Sequence, residues 1–141
     1  MFLEQYLPQA AGWLPLWQLL ISVTAVFNSV QNFVTLKLTR KIYPQAAVTG
    51  LQARTFAVWT LTSAVVRAYA AYNINEKQSV NFTAVYDLTL FTYLIAFGHF
   101  SSELLIFRTA TINPGLISPV IVSTTSLLWM ISQYDFYVKS S

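Results

Sequence analysis

Between Glu4 and Lys37 the chain carries no charged residue. An α-helix needs about 20 mostly apolar residues to cross the hydrocarbon core of a bilayer, so the segment from about 16 to 36 is predicted to span a membrane. A second uncharged, mostly apolar stretch runs from about 116 to 134. Composition agrees, because 55% of the residues are hydrophobic and only 9% are charged, against roughly 25% charged in an ordinary soluble domain. That is too little charge to coat a water-soluble surface.

Two further segments complete the set. Residues 51–72 are interrupted only by Arg54 and Arg67, and residues 85–107 contain Asp87, His99 and Glu103. The expectation is therefore an all-α polytopic membrane protein. It is one domain over residues 1–141, a compact bundle of four transmembrane helices at about 16–36, 51–72, 85–107 and 116–134.

All four segments carry small or polar residues at helical spacing. On the first, Gln18, Ser22, Ala25, Ser29 and Asn32 recur at four, three, four and three, with Asn28 and Gln31 beside them. Such side chains hydrogen-bond between membrane helices for about 0.6 to 2 kcal/mol each. The second segment has Ala53, Ala57, Thr60, Ala64, Ala68 and Ala71, a stripe that lets another backbone approach closely, whether that of the first helix or of a second copy of the chain. On the third, Thr89, Thr92, Ala96, His99 and Glu103 share one face, which puts lipid against the aromatic side. On the fourth, Ser118, Thr125 and Ser132 lie one heptad apart, Asn113-Pro114-Gly115 signals a turn before the helix, and Pro119 is expected in its first turn.

An ionisable group at membrane depth costs about 2.5 to 3.5 kcal/mol on insertion scales and looks for a partner. If the second and third segments form an antiparallel hairpin, Arg54 lies level with Glu103 and Arg67 within a turn of Asp87. The two arginines point about 140° apart at 100° per residue, so both pairs cannot share one seam. Arg54 with Glu103 is the expected internal pair, with Arg67 and Asp87 near the headgroups. The loops after the first and third helices hold Lys37, Arg40, Lys41 and Arg108, a basic bias that places them in the cytosol and both termini in the lumen. Glu4 is the only charge before Lys37, so the first helix is expected to stay as an anchor and not to be cleaved as a signal peptide.

Candidate chemistry is sparse. The bases are scattered with no basic track, which argues against nucleic-acid binding. There is no cysteine. His99 and Glu103 have metal-ligand spacing, but His99 is the only histidine and a site needs three or four ligands. No glycine-rich dinucleotide loop and no G-x-S-x-G is present, so no cofactor, metal or catalytic set is expected. Asn81-Phe82-Thr83 is a glycosylation sequon.

The segments GLQARTFAVWTLTSAVVRAYAAYNI at 50–74, GHFSSELLIFRTA at 98–110, SPVIVSTTSLLWM at 118–130 and VFNSVQNFV at 26–34 resemble the ergosterol biosynthesis protein 28 family, and its fungal members most. The resemblance covers nearly the whole chain, with Gln52-Ala53-Arg54-Thr55-Phe56 and His99 with Ser102-Glu103-Leu104 as its strongest pieces. It implies a non-enzymatic scaffold of the endoplasmic reticulum membrane in sterol biosynthesis. The implied partners are a sterol C-4 methyl oxidase, a decarboxylating sterol dehydrogenase and a 3-keto sterol reductase, and a sterol C-24 methyltransferase is linked to the fungal assembly. On this reading Lys37, Arg40, Lys41 and Arg108 face cytosolic catalytic domains, while Arg54, Arg67, Asp87, His99, Glu103, Asn28 and Asn32 are polar groups inside the membrane. The competing expectation is a sterol-binding protein that holds a sterol in a groove near His99 and Glu103.

Overall fold

Three of the long helices start where the sequence supplies a cap or a proline. The computed structural model describes residues 3–74 and 82–139, so the Asn81 sequon and the charges Glu76 and Lys77 lie outside the described residues. Helix α1 (Leu14–Val34) carries Pro15 in its first turn, where the missing N–H costs little. A short helix α2 (Lys37–Ile42) follows, where a basic loop was expected. Helix α3 (Gly50–Asn73) opens on a capping box: the Thr49 hydroxyl accepts from the Gln52 amide at 3.3 Å, and the Gln52 side chain accepts from the Thr49 amide at 2.8 Å. Helix α4 (Phe82–Leu105) is followed by α5 (Pro114–Ser132), which Asn113 caps by accepting from Gly115 and Leu116. A 3-10 turn (Glu4–Tyr6) precedes α1, and one π-helical turn (Asp135–Lys139) closes the chain. The described residues hold no strand.

The four long helices alternate in direction. Both ends of the described chain lie at one end of the bundle, where the Tyr137 hydroxyl donates to the Ala11 carbonyl at 2.7 Å and the Tyr72 hydroxyl to the Tyr6 carbonyl at 2.9 Å. At the other end α2 and the α4–α5 connection come together, with the Gln45 amide donating to the Thr109 carbonyl at 3.2 Å.

The most extensive helix contact is α1 on α3, and the two stripes of small residues account for it. Gln18, Ser22, Ala25, Ser29 and Asn32 are all buried, as are Ala53, Ala57, Ala64 and Ala71. Without bulk at these positions the backbones approach closely, and the Ser22 hydroxyl donates to the Ala64 carbonyl at 2.7 Å. The alanine stripe is thus used within the chain.

The buried face of α4 differs from expectation. On α4 the buried set is Tyr86, Thr89, Tyr93, Ala96 and Phe100, so three aromatic rings one heptad apart point inward while Leu88, Phe91, Leu94, Ile95 and Phe97 are exposed. On α5, Ser118, Thr125 and Ser132 are exposed, and the inward stripe is Leu116, Ser123 and Met130, continued by Tyr137. The turn signal at Asn113-Pro114 is the start of α5 itself, which leaves Pro119 inside the helix and not in its first turn.

Among the described residues three helices are long and apolar enough to cross a membrane: α1, the Thr83–Leu105 part of α4, and α5. Four were expected. Helix α3 has the length, 24 residues, but two arginines, three threonines and a serine among its alanines lower its hydropathy below that of the others.

Candidate functional site

The Arg54–Glu103 pair does not form. Among the described residues the ion pair is Lys139 with Asp135, at 2.8 Å on the exposed last turn. Arg54 is exposed, and the Glu103 carboxylate accepts from the Thr109 hydroxyl while its carbonyl accepts from the Ala110 amide. The interior arginine is Arg67, 7% exposed, which had been expected near headgroups. Its Nε donates to the Thr92 hydroxyl at 3.1 Å and its Nη2 to the Thr92 carbonyl at 3.4 Å. Its guanidinium carbon stands 4.0 Å from the Tyr93 ring centroid, a cation–π contact. Depth matching gave both arginines an acid, but only the azimuth about the helix axis decides which one meets the bundle.

Asp87 is half-buried. Its carboxylate, near Tyr134 past the end of α5, holds the Tyr134 phenol above its ordinary pKa.

Around Arg67 runs a buried polar network that the residue pattern did not announce. The Tyr93 hydroxyl donates to Gln18 Oε1 at 2.5 Å, and Gln18 Nε2 approaches Met130 Sδ at 3.3 Å. The Tyr86 hydroxyl donates to the Met130 carbonyl at 2.6 Å, and the Trp17 indole to the Ser126 hydroxyl at 2.8 Å. Each polar tip of an otherwise apolar side chain is met by a partner, as burial requires. The heptad spacing of Tyr86, Tyr93 and Phe100 is the signal that could have found it.

His99 lies half-buried at the other end of α4. Its Nε2 is 2.6 Å from the Tyr43 hydroxyl, and the Trp59 and Phe100 rings stand 5.1 and 5.2 Å from its own. Burial, then the nearby Glu103 carboxylate, pushes the Tyr43 phenol well above its usual pKa. No cluster of three or more His, Cys, Asp or Glu groups that could hold a metal occurs among the described residues. Asn32 Oδ1 accepts from the Thr39 hydroxyl at 2.7 Å, which pins α2 to the end of α1, while its amide nitrogen is buried without a partner.

These contacts build one end of the bundle. Ile42, Tyr43, Ala96, Phe100, Ala110 and Leu116 form a single apolar cluster beneath it, and Lys37, Arg40, Lys41, Arg54 and Arg108 are all exposed above it. Leu105, Ile106, Phe107 and Ile112 are exposed beside them, each by more than 60%. The result is a basic surface with an apolar margin, held by α2 and the α4–α5 connection as one unit.

A cavity of about 260 Å³ lies between α1 and α5, floored by residues of α3 and α4 and capped by α2. Arg67 and Tyr93 line its inner end, Lys41 and Gly115 the end beneath the basic surface, and Asn28 its side. His99 and Glu103 are not among its lining residues, though Trp59 and Phe100, whose rings neighbour His99, are.

The chain matches the family described as Erg28 like protein over residues 14–128. It is 46% identical to ergosterol biosynthetic protein 28 of Candida albicans, over 98% of each chain. It is 46% identical to the Saccharomyces cerevisiae protein of the same name, over 89% of this chain and 83% of that one. The mouse homolog is 40% identical over 82% of this chain and 80% of its own. No solved structure matches. The long stretches that resembled this family are therefore matched along most of their length, and the chain belongs to the Erg28-like protein family.

Proposed function

We propose that the protein is a non-catalytic membrane scaffold of ergosterol biosynthesis that holds the sterol C-4 demethylation enzymes together. The fungal relatives carry the name ergosterol biosynthetic protein 28, which supports the pathway. The observation that carries the scaffold reading is the basic end: five exposed cations, an apolar margin, and a foundation cross-tied by Tyr43–His99, Asn32–Thr39 and Gln45–Thr109. A rigid, charged and partly apolar platform is what a docking surface for catalytic domains requires. Holding a C-4 methyl oxidase, a decarboxylating sterol dehydrogenase and a 3-keto sterol reductase on one platform raises the effective concentration of each intermediate at the next active site. A sterol C-24 methyltransferase fits the same arrangement.

On this reading the protein sits in the endoplasmic reticulum membrane with the basic end in the cytosol and both termini in the lumen, in accord with the positive-inside rule. Helix α3 crosses with the other three, because its small-residue face packs against α1 and its Arg67 is sheltered by the bundle.

Affinity purification from native membranes in mild detergent tests the proposal. The wild-type protein is expected to bring down the three demethylation enzymes at comparable stoichiometry, and reversing Arg40, Lys41 and Arg108 to Glu is expected to release at least one of them. If the reversed protein retained every partner, the basic end would not be the docking surface.

A further inference from the structure

We propose that the cavity between α1 and α5 binds an amphiphile made of one slender apolar body and a carboxylate, with the carboxylate on Arg67. The first observation is the state of that arginine. It is more than nine-tenths buried, with 7% of its surface exposed, lines the cavity, and forms no ion pair with any carboxylate among the described residues. Thr92 occupies the Nε–Nη2 edge of the guanidinium and Tyr93 one face. A guanidinium has five N–H donors, so the Nη1–Nη2 edge remains, and two parallel N–H groups there match a carboxylate in bidentate geometry. Neither Thr92 nor Tyr93 supplies a negative charge, and a cation at this depth is stabilised by a counter-charge.

The second observation is the shape. From Phe56 to Arg67 along α3 the cavity extends over eleven residues, about 16 Å at 1.5 Å per residue, within about 260 Å³. That is just below the roughly 300 to 1,000 Å³ of pockets for drug-sized ligands. It suits a single chain and excludes both a two-chain phospholipid and a helix about 10 to 12 Å across. Phe56, Trp59, Ile21 and Val122 give it apolar walls.

The third observation is access. Among the described residues, hydrogen bonds between α1 and α5 are confined to Trp17–Ser126 and Gln18–Met130, at the end where the chain termini meet. Toward α2 the two helices flank the cavity, and Thr24 and Ser118 on its two lips are exposed. An apolar chain can therefore enter sideways from the bilayer. The carboxylate seat at Arg67 lies at the far end of the cavity from the basic surface, and neither proposal requires the other.

The test uses the full chain in a neutral detergent and three photoactivatable probes: diazirine-bearing palmitic acid, its methyl ester, and phosphatidic acid. Palmitic acid is expected to label residues of α1 or α5 saturably, about ten- to a hundredfold more tightly than the ester, the ratio that one charge-assisted hydrogen-bonded pair supplies. This comparison needs no variant. Arg67→Gln is expected to bring acid and ester to equal affinity and Arg67→Lys to keep only part of the difference, while Lys41→Gln, at the other end of the cavity, keeps the acid-over-ester ratio whatever it does to the affinity of the two probes alike. Equal labelling by acid and ester in the wild type would overturn the proposal, as would tighter phosphatidic acid binding or an acid preference that follows Lys41. So would the absence of all saturable labelling together with loss of a co-purifying protein from Arg67→Gln, which would make a partner's acidic side chain the occupant.

Discussion

The Tyr43 hydroxyl and His99 Nε2 meet at 2.6 Å and join the connection between α2 and α3 to the wall of α4. Tyr43 is 9% exposed, and burial followed by the Glu103 carboxylate raises its phenol above the ordinary value. A raised folded-state pKa means stability that is fully present below the unfolded value near 10 and is lost as pH climbs from there toward the folded value. Melting temperature is therefore expected to fall above about pH 10, and to fall less steeply in Tyr43→Phe. At neutral pH the same variant should lose about 0.5 to 1.5 kcal/mol with its hydrogen bond. Parallel alkaline slopes for the two proteins would show that Tyr43 does not carry this dependence.

The contact of α1 with α3 depends on the absence of side-chain bulk. Ala64 is 1% exposed and its carbonyl takes the Ser22 hydroxyl. Ala64→Leu is expected to force the helices apart at a cost of about 1 to 3 kcal/mol, the usual penalty of overpacking. Ser22→Ala should cost about 0.6 to 2 kcal/mol. Val65, the next residue and 62% exposed, is the control, and Val65→Leu should melt with the wild type. Thermal melts in one detergent decide it.

Arg54 and Glu103 are predicted to be uncoupled. With Arg54 exposed and Glu103 bonded to Thr109, Glu103→Gln keeps an acceptor for that hydroxyl, and its melting should lie within about 0.5 kcal/mol of wild type. Glu103→Ala removes the acceptor and should cost about 1 kcal/mol more. A double-mutant cycle of Arg54→Gln with Glu103→Gln is expected to close within about 0.5 kcal/mol, the scatter of independent sites. A coupling well above that would restore the ion pair.

What the sequence made legible divides along a physical line. Span length follows from uncharged stretches, so α1 and α5 were readable to within a few residues. The inward face of α1 was readable too, because the side-chain amides of Gln18 and Asn32 have no low-cost way to face lipid. Inward faces are not readable where a side chain can satisfy either side. Ser132 donates to the Trp129 carbonyl of its own helix at 2.8 Å, so hydroxyls on α5 can face outward without penalty. Tyr86 and Tyr93 look like lipid-facing aromatics until their hydroxyls find Met130 and Gln18. The arginines failed because depth along an axis carries no information about rotation around it. Helix α2 was hidden because six residues give too few turns for a pattern to repeat.

Gly12 and Gly98 should respond in opposite directions to the same substitution. Gly12 has φ +84°, where an L-residue is strained, and a Cβ built there would lie within van der Waals overlap of the Tyr137 hydroxyl, the group that bonds to Ala11 and ties the C-terminal turn to the entry of α1. Gly12→Ala therefore costs about 1 kcal/mol or more from backbone strain, and it dislodges Tyr137 besides. Gly98 lies within α4 with nothing within 4 Å of a would-be Cβ, so Gly98→Ala should stabilise by about 0.5 to 1 kcal/mol through helix propensity. Tyr137→Phe separates the two parts of the first effect. It removes the bond to Ala11 and the clashing oxygen together, so in that background Gly12→Ala should retain only its backbone cost. An undiminished loss there would place the whole effect in the φ angle and none in the tie between the chain ends.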